Sequence, residues 1–177
     1  MAKCAKSQDT SIRRIPVIGN GDIFSWTDWH ERQQYMNIEM NGDAELAGLT
    51  DCAMIGRGVL TKPWLPTEIH EKRNWDISAP ERLDIVRMYA DFGLEHYGSD
   101  SKGVETTRRF MLEWLSFLYR YVPLGIIAPS RQPQRINQIP PQFNGRCDTE
   151  TLLASPCSED WVQITEMFLG KVCSSLV

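Results

Sequence analysis

Apolar and polar residues change their period once along this chain, near Glu71. Before that point the apolar residues come in short runs that end in glycine. Ile15-Pro16-Val17-Ile18 is β-rich and stops at Gly19-Asn20-Gly21-Asp22, a cluster that ends a strand and turns the chain. Ser25-Trp26-Thr27-Asp28 then supplies a capping oxygen and a first-turn acid, which predicts a helix to about Ile38, broken by Asn41-Gly42-Asp43. Cys52-Ala53-Met54-Ile55 is a second candidate for a buried strand. It runs into Gly56-Arg57-Gly58 and a segment whose Pro63 suits the first turn of a helix. The two glycine turns lie roughly 36 residues apart, close to the repeat of an eight-unit βα barrel.

Beyond Glu71 no β-rich run ends in glycine, and the period becomes helical, which places a domain boundary there. Ser78-Ala79-Pro80-Glu81 has the form of a capping box. It opens a helix with Leu83, Val86, Ala90 and Leu94 as its apolar stripe, ending near Gly98. A second helix is predicted from about Val104 to Tyr121, with Phe110, Trp114, Phe117, Leu118 and Tyr121 on its buried face and Pro123 ending it. From Pro129 to Gly145 the Pro, Gln, Arg and Asn content favours an extended strap. Thr149 to Leu169 is helical again, divided by Pro156, with Trp161, Ile164 and Phe168 on the inner side. The expected architecture is therefore α/β over residues 1–70 and helical over 71–177, with the strap at 129–145.

Composition narrows the function. With 42% hydrophobic and 24% charged residues, the chain has the make-up of a folded protein. A net charge of -4 and a pI near 5.4 provide no global attraction for nucleic acid, so any RNA contact needs a local basic surface. Cys4, Cys52, Cys147, Cys157 and Cys173 form no CxxC pair and no zinc-ligand spacing, so no metal site is expected and reduced thiols are. Cys52 reads as a buried thiol. Met1 to Arg14 has no apolar core of secretory type, and the most apolar stretch, Phe110 to Ala128, is interrupted by Glu113, Arg120 and Pro123, which suits a core helix rather than a membrane span.

Two constellations carry candidate chemistry. Glycines at strand ends let backbone N–H groups approach phosphate oxygens, and Arg57 adds charge; two such loops in consecutive βα units make a phosphate site. Singly, each is an ordinary turn. On the helix from Val104, Arg109 and Arg120 are eleven residues apart and project from nearly one side, with Lys102 extending the row. Such a row tracks an RNA backbone, with Arg131, Arg135 and Arg146 as further candidates. The alternative is a solvated face in which Glu105 and Glu113, each four residues from Arg109, pair with it. The six tryptophans read as core, and His30, His70 and His96 have no nucleophile in a recognisable motif beside them.

Ile15 to Ile23, Met54-Ile55-Gly56-Arg57-Gly58 and Lys62-Pro63-Trp64 resemble the last two βα units of dihydrouridine synthases. Asn74 to Ser78, Glu81 to Ile85, Glu95 to Asp100, Arg108-Arg109-Phe110, Tyr121-Val122-Pro123, Gly145-Arg146 and Glu150-Thr151-Leu152 are similar to the eukaryotic tRNA-dihydrouridine(47) synthase group. The resemblance runs from about Arg14 to Gly170. It implies the last two βα units of a TIM (βα)8 barrel followed by a carboxy-terminal helical domain. It also implies FMN as cofactor, NADPH as reductant, tRNA as partner, a monomeric complete enzyme and a cytoplasmic or nuclear location.

Carried over by position, Asn20, Gly21, Asp22, Gly56 and Arg57 match the residues that hold the FMN phosphate and ribityl chain, and Arg108 and Arg109 match a basic pair facing tRNA. The family's catalytic cysteine sits in Asn-x-Gly-Cys-Pro, and no cysteine here has that setting, so no catalytic residue is assigned. The first six barrel strands and the zinc-finger region of the eukaryotic group are also missing, and Asn37 to Leu49 is longer than the family's connection. The expectation is a catalytically incomplete portion of the enzyme, marginal in its first 70 residues; the alternative is a non-catalytic tRNA-binding fragment or an inactive truncated isoform.

Overall fold

The structure, a computed structural model, describes residue 16 and residues 18–38, 52–128 and 137–172, the side chains of 34–38 excepted. The Asn41-Gly42-Asp43 break, most of the strap with Arg131 and Arg135, and Ile15 and Val17 lie outside the described residues. In chain order the elements are β1 (Ile18–Asn20), α1 (Trp26–Ile38), β2 (Cys52–Met54), α2 (Arg57–Thr61), α3 (Leu65–Glu71), α4 (Ala79–Tyr97), α5 (Ser101–Leu118), α6 (Asp148–Leu153) and α7 (Ser158–Leu169). They group into two compact units. Among the described residues one contains 18–38, 52–59 and 64–74, and the other 60–63, 75–128 and 137–172.

In the first unit β1 and β2 pair in parallel, with Ile18 opposite Cys52, Gly19 opposite Ala53 and Asn20 opposite Met54. A parallel pair needs a crossover, and α1 lies in it. α1 opens as its sequence predicts: the Asp28 carboxylate accepts from the Phe24 and Ser25 N–H groups at 2.9 Å, and Ser25 Oγ accepts from Asp28 N–H at 3.1 Å. Ile23, Phe24, Trp64 and Leu65 are the buried apolar residues of this unit. Two expectations are corrected. Cys52 is exposed, because it begins a three-residue strand in which only the central residue is even half-buried. Helix resumes directly at Arg57, not at Pro63. Pro63 disfavours helix at the residue before it, so it helps to end α2, and Pro66 occupies the first turn of α3.

The second unit is helical. Ser78 and Glu81 form the expected capping box: Ser78 N–H donates to Glu81 Oε2 at 2.9 Å, and Glu81 N–H to Ser78 Oγ at 3.4 Å. α5 starts three residues before the expected Val104, because the Asp100 carboxylate accepts from Gly103 N–H at 3.0 Å and caps the helix there. It ends at Leu118, leaving Tyr121 in the turn that follows. A side-chain carbon on Gly93 would run into the Thr107 side chain, so glycine sets how closely α4 and α5 approach. Val86, Ala90, Met111, Trp114, Leu115, Leu118, Tyr121, Leu153 and Ile164 lie in the core; Leu83, Leu94, Phe110, Phe117, Trp161 and Phe168, expected inside, are half-buried.

That core also encloses charge. Arg82 is 1% exposed, and none of its three guanidinium nitrogens has a hydrogen-bond partner among the described residues. Burial pushes this guanidinium down to about 10, opposed by Tyr121, whose ring centroid lies 5.1 Å away, and by the carboxylate of Glu150. Glu150 is equally buried and accepts from the Arg146 side chain at 2.8 Å and from Arg146 N–H at 2.6 Å. Burial pushes Glu150 up, but the hydrogen bonds and charge of Arg146, with the charge of Arg82, hold it below the usual carboxylate range. Arg146 is itself held by Asp76 at 2.7 Å, and these bonds raise its pKa.

Replacing Glu150 with Gln strands the buried Arg82 charge, at a cost of roughly 3–5 kcal/mol at neutral pH. Glu150 holds its proton less tightly folded than unfolded. Its contribution is therefore complete above the ordinary carboxylate range and is lost as pH falls through its lowered folded pKa. Urea unfolding across the acid range should show a gap between wild type and Glu150→Gln that is widest at pH 7 and narrows as pH falls below the ordinary carboxylate range.

Candidate functional site

The parallel register sends both strands out at one edge of the sheet, and the glycine loops follow there. Asn20 ends β1 and continues into Gly21-Asp22, while Gly56-Arg57 follows β2. The Arg57 guanidinium pairs with the Asp22 carboxylate and so bridges the loops; its side chain remains 55% exposed. All five residues expected at a phosphate site are thus brought to one edge.

Glycine is favoured at Gly21, which sits at φ +156° and where the Arg32 guanidinium occupies the space a side-chain carbon would take. Arg32 donates to the carbonyl oxygen of Asp22 and braces the loop from α1. Sequence reasoning missed it, because no spacing rule links a mid-helix arginine to a carbonyl ten residues upstream. At Gly58 a side-chain carbon would strike the Ile23 carbonyl oxygen, whereas at Gly56 it would meet open space. Backbone N–H groups, a half-exposed guanidinium and room above Gly56 suit a phosphate monoester, with Asp22 holding Arg57 in place.

The expected basic face is split. Lys102 and Arg109 are exposed and Arg120 is half-buried on α5 and the turn after it. Neither Glu105 nor Glu113 pairs with Arg109 among the described residues; its guanidinium instead lies 4.9 Å from the Phe110 ring centroid. Arg120 lies over Phe117 at 5.5 Å and Tyr119 at 5.7 Å. Arg108 points the other way. It is buried and donates to Thr165 Oγ1 at 2.8 Å, to the Gly170 carbonyl at 2.7 Å and to the Leu169 carbonyl at 3.3 Å. Its guanidinium therefore satisfies the carboxy-terminal end of α7 and presents no face to RNA. Arg146 is committed to Asp76 and Glu150, and Arg135 lies outside the described residues.

The buried Trp114 donates to the Leu60 carbonyl at 3.1 Å and the half-buried Trp161 to the Ser155 carbonyl at 2.8 Å, as structural tryptophans do. Cys147 and Cys157 are exposed. Among the described residues no group of three or more His, Cys, Asp or Glu is placed to hold a metal, and no helix is long and apolar enough to cross a membrane.

The family model for dihydrouridine synthase matches residues 7–115. Among curated relatives, the tRNA-dihydrouridine(47) synthase [NAD(P)(+)] of Coprinopsis cinerea is 49% identical over 173 residues, covering 98% of this chain and 24% of the relative. The tRNA-dihydrouridine(47) synthase [NAD(P)(+)]-like protein of Homo sapiens is 53% identical over 158 residues, covering 89% of this chain and 22% of the relative. The Arabidopsis thaliana protein of the same name is 48% identical over 170 residues, covering 96% and 22%. The chain thus spans about a quarter or less of the length of these relatives. No solved structure matches it.

The adjacent arginines should separate in a melting experiment. Arg108→Leu removes three charge-assisted hydrogen bonds, one buried and two part-buried, and should cost about 2–4 kcal/mol, whereas Arg109→Leu should leave stability within about 0.5 kcal/mol. Thermal unfolding followed by circular dichroism reads both.

Proposed function

Because the chain belongs to the dihydrouridine synthase family, we propose that it is the carboxy-terminal portion of a flavin-dependent tRNA-dihydrouridine synthase, which reduces a uridine of tRNA to dihydrouridine with FMN and NADPH. The observation that carries this reading is the pair of glycine loops at one edge of a parallel strand pair, joined by Arg57 and Asp22. In this reading Asn20, Gly21, Asp22, Gly56 and Arg57 hold the FMN phosphate and ribityl chain, and Arg32 keeps the first loop in shape. Bound FMN supplies the hydride chemistry, with NADPH as its reductant. The loops belong to the last two βα units of a TIM barrel, and the helical unit grips tRNA while the target base leaves the stack.

On the helical unit the RNA contacts are Lys102, Arg109 and Arg120; Arg135, outside the described residues, is assigned to RNA from the sequence alone. Arg108 supports the fold from within. The 177 residues contain no Asn-x-Gly-Cys-Pro, so this chain supplies no proton donor and no catalytic residue is assigned to it. The complete enzyme acts as a monomer in the cytoplasm or nucleus.

The test is tRNA binding and NADPH-dependent reduction by the purified chain. Three phosphate-contacting cations give a log–log salt slope of about −2 to −3, and tRNA incubated with the chain, FMN and NADPH should gain no dihydrouridine. Salt-independent tRNA affinity would contradict the assignment of the basic face. Dihydrouridine formation would contradict the assignment of no proton donor.

A further inference from the structure

We infer that Tyr97, Phe110 and Arg109 form a stacking platform for one unpaired nucleobase of the RNA held by the helical unit, an inference that rests on the RNA-binding reading above. Tyr97 closes α4 and is 44% exposed. It stacks on Phe110 with centroids 5.7 Å apart and planes 24° from parallel, and His96 meets it edge-on at 4.7 Å and 80°. Phe110 in turn carries the Arg109 guanidinium. The ring is therefore held in place before any ligand arrives, so a base stacking on it costs little further ordering.

Charge on this surface points to the same partner and shows why stacking is needed. Lys102 and Arg109 are exposed and make no ion pair among the described residues, so both are available to phosphates. Glu105 and Glu113 share that side of α5, however, and offset much of its positive charge. Phosphate attraction alone is then weak, and a π-face beside it adds affinity that salt does not screen. Such a face accepts bases that are out of a duplex and does not engage paired ones, whose faces are covered by their neighbours.

The experiment measures binding of the 177-residue chain to a loop-bearing RNA hairpin and to a fully paired duplex of equal length. Wild type is compared with Tyr97→Leu, Tyr97→Phe and Arg109→Gln. Tyr97→Leu should weaken hairpin binding about 5- to 100-fold, leave the salt slope unchanged and leave the duplex unaffected, while Tyr97→Phe binds as wild type. Arg109→Gln should weaken binding and lower the salt slope by about one. A 2-aminopurine in the loop should be quenched on binding wild type, a readout independent of how well the leucine variant folds. Unchanged hairpin affinity in Tyr97→Leu, or an unquenched loop base while RNA is bound with its normal salt slope, overturns the platform and leaves the RNA-binding reading intact. Failure of wild type to bind either RNA overturns both. Binding to both RNAs, weakened equally by Tyr97→Leu, also overturns the platform.

Discussion

The pairing of three residues of β1 with three of β2 is the constraint on which the candidate site depends. Parallel pairing sends both strands out at the same edge, and Asn20 opposite Met54 puts Gly21-Asp22 beside Gly56-Arg57. A slip of one residue would reverse which face each side chain meets and part Arg57 from Asp22. This small pairing is reinforced by close contact away from the strands: Gly58 lies against the Ile23 backbone, and Arg32 closes on Gly21. On the sheet itself Ile18 and Met54 are 60% and 53% exposed, whereas strands of parallel sheets are usually covered on both faces.

The helical unit is organised by arginines that point inward. Arg82 brings a charge into the core that Glu150 balances, and Glu150 in turn fixes Arg146 and, through it, Asp76. Arg108 fastens α5 to the end of α7. One residue further on, a rotation of about 100° carries Arg109 to the outside. Two neighbours of the same chemical type thus take opposite positions: one holds helices together, and the other is exposed over an aromatic ring.

What was legible in the sequence was local. The Ser78–Glu81 capping box, the helix start at Ser25–Asp28 and the break at Pro156 depend on residues within a turn of each other, and the structure has them all. That both glycine loops follow strands was legible from the two apolar runs that end in glycine. What failed depended on distant partners. Nothing in the sequence marks Arg82, which Tyr121 and Glu150 enclose, and Arg108 reads as half of a basic pair until α7 packs on it. Cys52 reads as buried because an apolar run normally means a covered strand, yet in this two-stranded sheet the first residue is exposed.

The central claim is that this chain supplies the flavin-phosphate loops and the RNA-facing helices of a dihydrouridine synthase. The most direct measurement replaces the matching part of the 53% identical human relative with this chain and determines flavin retention and dihydrouridine in tRNA. The account predicts that the chimera keeps FMN and forms dihydrouridine, and that Arg57→Ala in it releases flavin. A folded chimera that binds tRNA but holds no flavin, or one indifferent to Arg57→Ala, would contradict it.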